Sequence, residues 1–393
     1  MPAAAAVDFE HHPLVLAACE LQPQIRECAD QTEANRRVPT HLIDAFTDRG
    51  LYRLNIPASA YGEQAHPLVV FHVIEAIAHA DPSTAWVVMI ATEVSLTTGW
   101  LPNAVLSQMI GGEEPGGPRC RIAGSSRVLA TAAPDPSGSG YRLTGQLNYL
   151  SGLEHANFVL VTFLDPEDGD LRMALLPRHA GEIVQTWDTM GLRGTGSHDW
   201  HLDNAFVQAA HTWRPSDPPC ADGPQWRVPD RSLVAWIANA GHALGGAQGA
   251  IDDLVALATS SSSGDATPLR EREPFRLALA DAQAQVSAAR AFIRTAWSEL
   301  WSAMERSPQD LPQSQLQQLL GMARLANVHA VHAGADAVET LFRAAGANAA
   351  HRRWPLERRW RDLQVARQHG AGLDWNYDAA IRPKLELKAR RAR

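Results

Sequence analysis

Few side chains in this sequence stand where their type and spacing could do chemistry, and His369 is foremost among them. It lies in "WRDLQVARQHGAGLDW", residues 360–375, where Trp360, Leu363, Val365 and Ala366 are spaced for the buried face of a helix. His369 falls seven residues after Asp362 and four after Val365, which sets it along that same face. An imidazole there is either a core histidine with one satisfied hydrogen bond or a group that moves protons near neutral pH. Two other histidine groupings invite a metal reading. His329, His332 and Asp336 recur at i, i+3 and i+7 on one helix face, and His198 and His201 stand close together in "SHDWH". Neither has the further ligands a metal site needs, so both read as ordinary polar positions and no metal is expected.

The elements that must position such groups fall into three textures along 393 residues. Residues up to about 112 read as helical. In "VPTHLIDAFTDRGLYRL", Leu42, Ile43 and Phe46 form one stripe and Gly50 marks a stop. In "DPSTAWVVMIATEVSLTTGW", Asp81 is the N-cap and Pro82 the first helical residue of an almost wholly apolar helix. "GGEEPGGPR" (Gly111 to Arg119) is a linker. Six short β-like segments follow between Cys120 and Val207, separated by turn residues as in a small sandwich or barrel. After a Pro-rich connector come four helical patterns, over 231–260, 274–306, 312–346 and 354–380, with "SSSSGDATP" read as a mobile loop and "SPQDLP" as a separator. The expected fold is α+β and mainly α. It comprises an N-terminal helical domain (1–116), a middle β-barrel or sandwich domain (117–225) and a C-terminal antiparallel four-helix bundle (226–393).

Composition excludes several classes. Formal net charge is −8, so no broad electropositive surface for nucleic acid is expected, and the basic end "KLELKARRAR" reads as a solvated tail. Cys19, Cys28, Cys120 and Cys220 have no CxxC-type spacing, which argues against zinc or a disulfide framework and suits a reducing compartment. No apolar run approaches membrane-spanning length and the N-terminus has no signal-peptide pattern, so a cytoplasmic location is expected.

In this order, the segments resemble the acyl-CoA dehydrogenase fold. The motifs carrying the resemblance are "GYRLTGQLNYLSGLEHANFVLV", "MGLRGTGSHDWHLDNAFV", "LGGAQGAIDDL" and "PLERRWRDLQVARQH". Dehydrogenases of that superfamily place a catalytic glutamate just after an Arg-Asp pair. Here Arg361 and Asp362 are followed by "LQVARQHGAG", with no carboxylate and with His369 nearby. That is similar to the other branch, the two-component flavin-dependent monooxygenases, which hydroxylate phenols, polycyclic aromatics or other small molecules.

The resemblance implies reduced flavin, FMN or FAD, supplied by a separate reductase, with molecular oxygen as co-substrate and a C4a-hydroperoxyflavin as oxygen donor. It implies that Ser151 is the hydrogen-bond partner of the flavin N5–H and that His369 acts as general base or orients the peroxide. Tyr149, Gly152, Gly124, Ser125, Thr195 and Ser197 become cofactor-binding candidates, although Gly-rich turns capped by Ser and Asp are often structural. A homotetramer is implied, with residues around Arg270 to Arg276 reaching a neighbour's flavin. The substrate pocket would be lined by Trp86, Met89, Thr92, Glu93, Trp236 and Trp375. Many hydroxylases of the branch carry a histidine in the helix begun at Asp81, where this chain has Thr92 and Glu93. Glu93 is then either an exposed residue or a recognition group for an amine, which would make the chain an N-oxygenase. The remaining alternatives are a dehydrogenase or oxidase with bound oxidised flavin, and an inactive flavin-fold scaffold.

Overall fold

The computed structural model describes residues 8–111, 120–260, 267–306 and 311–387. The interiors of the linker after Gly111, of the serine-rich loop and of the "SPQDLP" separator lie outside the described residues, as does the end of the basic tail. The helices run α1 (Pro13–Glu20), α2 (Gln22–Asn35), α3 (Thr40–Asp48), α4 (Pro67–Ala80), α5 (Pro82–Ser95) and α6 (Asn103–Ile110). After the sheet they continue with α7 (Pro224–Arg227), α8 (Arg231–Ala235), α9 (Ile237–Ser260), α10 (Glu273–Arg306), α11 (Gln313–Ala344), α12 (Pro355–Ala366) and α13 (Trp375–Ile381).

The break between α4 and α5 is written locally. Asp81 has extended backbone, ends α4, and accepts the Thr84 N–H at 2.8 Å to start α5, with Pro82 in the first turn. Apolar residues on every side of α5 leave Pro82 to Glu93 buried throughout, so this helix runs through the interior. It packs on α4, α9, β1 and α12.

Strands β1 (Ile122–Pro134), β2 (Gly140–Leu150), β3 (Phe158–Leu164), β4 (Leu171–Pro177), β5 (Glu182–Val184), β6 (His198–Gln208) and β7 (Thr212–Trp213) form one sheet in the order β5-β6-β2-β1-β3-β4-β7. The expected sandwich or barrel is instead this single seven-stranded sheet, and it is mixed because β1 and β3 run parallel. Gly124 explains part of that pairing. A Cβ there would come within 2.5 Å of the Leu160 Cβ on β3, so the two strands approach where only glycine fits.

Helices α9, α10 and α11 pack on one another, and α12 and α13 pack on α11. The last helical pattern, expected as one helix over 354–380, is broken. α12 ends at Ala366, a 3₁₀ turn covers Gly370–Gly372, and α13 begins at Trp375. The sequence "QHGAG" is the cause. A side chain at Gly372 would lie 2.4 Å from the Arg367 carbonyl oxygen, and Asn376 donates to the Gly370 and Leu373 carbonyls at 2.8 and 3.0 Å. A single side-chain amide thus caps a turn that a continuous helix would have used for its own bonds. His369 therefore stands beyond the helix end, with φ −64° and ψ 154°, rather than on its buried face.

Candidate functional site

Strand β2 ends in a bulge. Its register with β6 shifts between Leu147 and Leu150, and Tyr149 takes a left-handed φ of 62°. The extra residue turns Tyr149 outward to 61% exposure, with Trp187 at 6.2 Å between ring centroids and the Arg127 guanidinium 6.0 Å from its ring. Leu150 and Ser151 turn inward and are buried. Gly152 follows at φ 68°, and its N–H donates to the Thr195 carbonyl at 2.9 Å. A Cβ on Gly152 would sit 2.7 Å from Val87 Cγ1, so the strand end lies directly against α5.

Four hydroxyl and indole groups meet there, and their proton order follows by elimination. Thr195 Oγ1 lies 2.8 Å from the Leu192 carbonyl oxygen, which can only accept, so the threonine proton points there. Thr195 Oγ1 is also 2.7 Å from Ser197 Oγ and must accept the Ser197 proton. Ser197 Oγ, 2.7 Å from Ser151 Oγ, must in turn accept the Ser151 proton. The Trp86 indole N–H donates to Ser151 Oγ at 3.1 Å. Ser151 thus has no proton left to give and one lone pair left to offer.

Trp86 joins this row to the histidine end of the site. His369 lies 5.5 Å from the Trp86 ring and 6.1 Å from Trp236, each edge to face, and His242 lies 5.1 Å from Trp86. His369 Nδ1 accepts the Ala371 N–H at 3.3 Å, which places the imidazole proton on Nε2. Burial pushes the pKa of His369 down to about 4, so the ring is neutral at pH 7. Its Nε2 stands 4.0 Å from Glu93 Oε2, and Glu93 Oε1 accepts from the Asn239 side-chain amide. Burial drives the Glu93 pKa well above the usual carboxylate range, and the Asn239 bond only partly opposes it. The Glu93 side chain is 9% exposed, so the expectation of an exposed residue is corrected, while His369 keeps 27%.

From His369 the rings continue outward. Trp236 meets Trp375 at 5.8 Å, and Trp375, 46% exposed, lines a wide surface groove together with Asp230, Gln317, Arg324 and Asp378. Aromatic surface therefore extends from the groove to the inner end of β2.

Asp362 fastens three parts of the chain around the site. Its Oδ1 accepts the Leu192 N–H at 2.6 Å and its Oδ2 accepts from Ser83 Oγ at 3.1 Å, joining α12 to the Gly-rich turn and to the start of α5. Burial and the nearby Asp81 raise its pKa to about 7.

Of the residues expected from the sequence, Ser151, Thr195, Ser197, Trp86, Trp236, Glu93 and His369 come together. Others do not present themselves to this space. Met89 is fully buried in the core, and the Thr92 hydroxyl turns back to the Val88 carbonyl at 2.8 Å. Trp375 belongs to the groove rim. The Ser125 hydroxyl accepts the Arg127 N–H at 3.2 Å within its own strand. The metal-like spacings are accounted for otherwise. His332 Nε2 bonds the Gly372 carbonyl at 2.8 Å, His198 Nδ1 accepts the Thr186 and Trp187 N–H groups at 3.2 Å, and no metal-binding cluster occurs among the described residues. Asn239 and His242 went unnoticed in the sequence. They are two polar residues three apart on the apolar pattern of α9, a signal that was available.

Comparison with known proteins agrees with the resemblance drawn from the motifs. Residues 237–373 match the family described as "Acyl-CoA dehydrogenase, C-terminal domain". Indole-3-acetate monooxygenase of Pseudomonas putida is 29% identical, over 88% of this chain and 87% of that protein. The flavin-dependent monooxygenase oxygenase subunit HsaA of Mycobacterium tuberculosis is 28% identical, over 91% of each. Two solved structures share the fold at 24% identity. The 3-HSA hydroxylase from Rhodococcus sp. RHA1 matches with TM-score 0.87, covering 98% of this chain and 99% of that one. XiaF from Streptomyces sp., in complex with FADH2 and glycerol, matches with TM-score 0.82 and 95% coverage of each.

Proposed function

We propose that this chain, an acyl-CoA dehydrogenase-fold homologue of two-component monooxygenases, is an oxygenase component. It takes reduced flavin from a separate reductase and transfers one atom of dioxygen to a small aromatic substrate. The observation that carries the reading is the hydroxyl row. Reduced flavin bears an N–H at N5 where oxidised flavin has only a lone pair, and Ser151 can accept but not donate. The site thus complements the reduced form and mismatches the oxidised one.

The residues fit a flavin in other respects. Ser151 and Gly152 after β2 meet Thr195 and Ser197 of the Gly-rich segment beside α5, all with small side chains, and Tyr149 with Arg127 and Trp187 forms an aromatic, cationic ledge at the same strand end. Bound reduced flavin supplies the activation of dioxygen, and the protein supplies the surroundings. Trp86, Trp236 and α5 keep bulk water from the inner end of the site. Neutral His369, with its proton on Nε2 facing Glu93 Oε2 across 4.0 Å, presents a donor that orients the reacting oxygen or the substrate. With its pKa lowered to about 4 it is a weaker base than an ordinary histidine. A homotetramer would agree with the fold.

The test is anaerobic titration with reduced and with oxidised FMN and FAD, followed by admission of oxygen with an aromatic substrate present. Preferential binding of reduced flavin, with hydroxylated product exceeding free hydrogen peroxide, supports the assignment. Tight retention of oxidised FAD through purification would instead indicate a dehydrogenase or oxidase.

A further inference from the structure

We propose that the consecutive residues Arg361 and Asp362 of α12 are positioning residues for the flavin. They clamp the Gly-rich turn from behind and so fix the direction of the hydroxyl row that runs from Ser151 to Thr195. Discrimination between reduced and oxidised flavin is then set in part by a buried carboxylate that stands behind the whole row. This rests on the flavin reading above, and a measurement that uses no flavin separates the two.

Two adjacent side chains hold two successive peptide groups. Arg361 donates to the Met190 carbonyl at 2.7 Å, and Asp362 Oδ1 accepts the Leu192 N–H at 2.6 Å. A Cβ on Gly191, between them, would overlap the Arg361 carbonyl oxygen, so the turn lies directly on the backbone of α12. Each jaw of the clamp is itself held. Glu357 grips the Arg361 guanidinium at 2.7 and 2.9 Å, and Glu33 of α2 meets it at 2.7 Å. Asp362 is 1% exposed and takes the Ser83 hydroxyl on its other oxygen.

Leu192 needs such a hold. Its backbone is left-handed, with φ 52° and ψ 32°, a conformation that costs free energy for a residue with a side chain and persists only where its surroundings dictate it. That conformation aims the Leu192 carbonyl at the Thr195 hydroxyl, 2.8 Å away, and at the Thr195 N–H at 3.2 Å. The Thr195 proton is the first link of the row. Its commitment to Leu192 obliges Ser197, and then Ser151, to donate toward Thr195. Release of the Leu192 N–H lets this residue relax toward the right-handed region and swings its carbonyl off Thr195. The row is then free to run in either direction. The Trp187 indole also donates to this carbonyl, but it follows from within the same segment.

The test has two readouts. In the flavin-free protein, hydrogen exchange reports on the Thr195 amide, which Asp362 does not touch. Asp362→Ala should speed its exchange about tenfold, and Asp362→Asn, whose side-chain oxygen still accepts the Leu192 N–H, less than about threefold. The Kd values of oxidised and reduced FMN are then measured anaerobically. Their ratio should fall about tenfold in Asp362→Ala and at most about threefold in Asp362→Asn. A merely structural role would weaken both forms alike and leave the ratio unchanged. Because Asp362 acts through Thr195, combining Asp362→Ala with Thr195→Val should lower the ratio no further than the larger single effect. Thermal melting checks that each variant is folded, and Arg361→Met, which releases Met190 alone, gives the same comparison if Asp362→Ala does not fold. Unchanged Thr195 exchange in Asp362→Ala would overturn the proposal, as would an unchanged ratio or effects that multiply in the double variant. Wild type that binds neither form of FMN, or both equally, would overturn the flavin reading and the discrimination with it, while faster Thr195 exchange would still establish the clamp on the turn.

Discussion

Thr195→Val tests the proton order directly, because Thr195 stands two hydroxyls away from Ser151. In the wild type the Thr195 proton goes to the Leu192 carbonyl and its oxygen receives the Ser197 proton at 2.7 Å, which obliges Ser197 to receive the Ser151 proton. Valine keeps the shape and removes the acceptor at the end of the row. Ser197 is then free to donate to Ser151, and the Ser151 proton can turn toward the flavin. Both hydrogen bonds of the Thr195 hydroxyl are lost, but the Leu192 carbonyl stays satisfied by the Trp187 indole N–H at 2.9 Å and the Ser197 proton is taken up by Ser151, so the structural cost is about 1–2 kcal/mol. The binding consequence is larger in relative terms. Reduced flavin loses its matched acceptor part of the time and oxidised flavin gains a donor, each worth about 0.5–1.5 kcal/mol. The ratio of oxidised to reduced Kd should therefore fall by roughly tenfold. Anaerobic titration by tryptophan fluorescence for the reduced form, and by flavin fluorescence for the oxidised form, measures both constants. Thr195→Ser preserves the acceptor and should restore the wild-type ratio. A folded Thr195→Val protein with an unchanged ratio would refute the directional argument, whatever its turnover.

Other perturbations follow from the same contacts. Asp362→Ala leaves the buried Leu192 N–H and Ser83 hydroxyl without their acceptor and should cost about 2–3 kcal/mol in urea unfolding, whereas Asp362→Asn keeps an oxygen for Leu192 and should cost less than half of that. Acid should destabilise the fold through its buried histidines. His242 is lowered by burial from an ordinary 6.5 to about 4, so between those values the unfolded chain binds the extra proton and stability falls as pH falls. The loss from His242 approaches about 3 kcal/mol at pH 4, and melting temperatures measured from pH 7 to pH 4 should decline across that window. His369→Ala removes the Nε2–H donor beside Glu93 and should lower product formation by about 10²-fold, with hydrogen peroxide rising in its place and reduced-flavin affinity nearly unchanged. Equal loss of flavin affinity would place His369 in cofactor binding instead.

The sequence by itself determined a good deal. Asp81-Pro82 set the start of α5, the unbroken apolar run after it required burial, and the four ordered motifs pointed to the fold that the solved structures share. The glycines of "QHGAG" also spelled the end of α12, but a helical period that ran through them concealed it, because periodicity counts faces and does not see caps. What only the tertiary structure decided was the state of each polar group. The Ser151 proton is committed by Ser197, 46 positions away. The Glu93 carboxyl is fixed by Asn239 across the interface of α5 with α9. Residue type states what a side chain can donate, accept or ionise. Which of those it does depends on its partners and on its access to water, and in this chain both come from segments far apart in sequence.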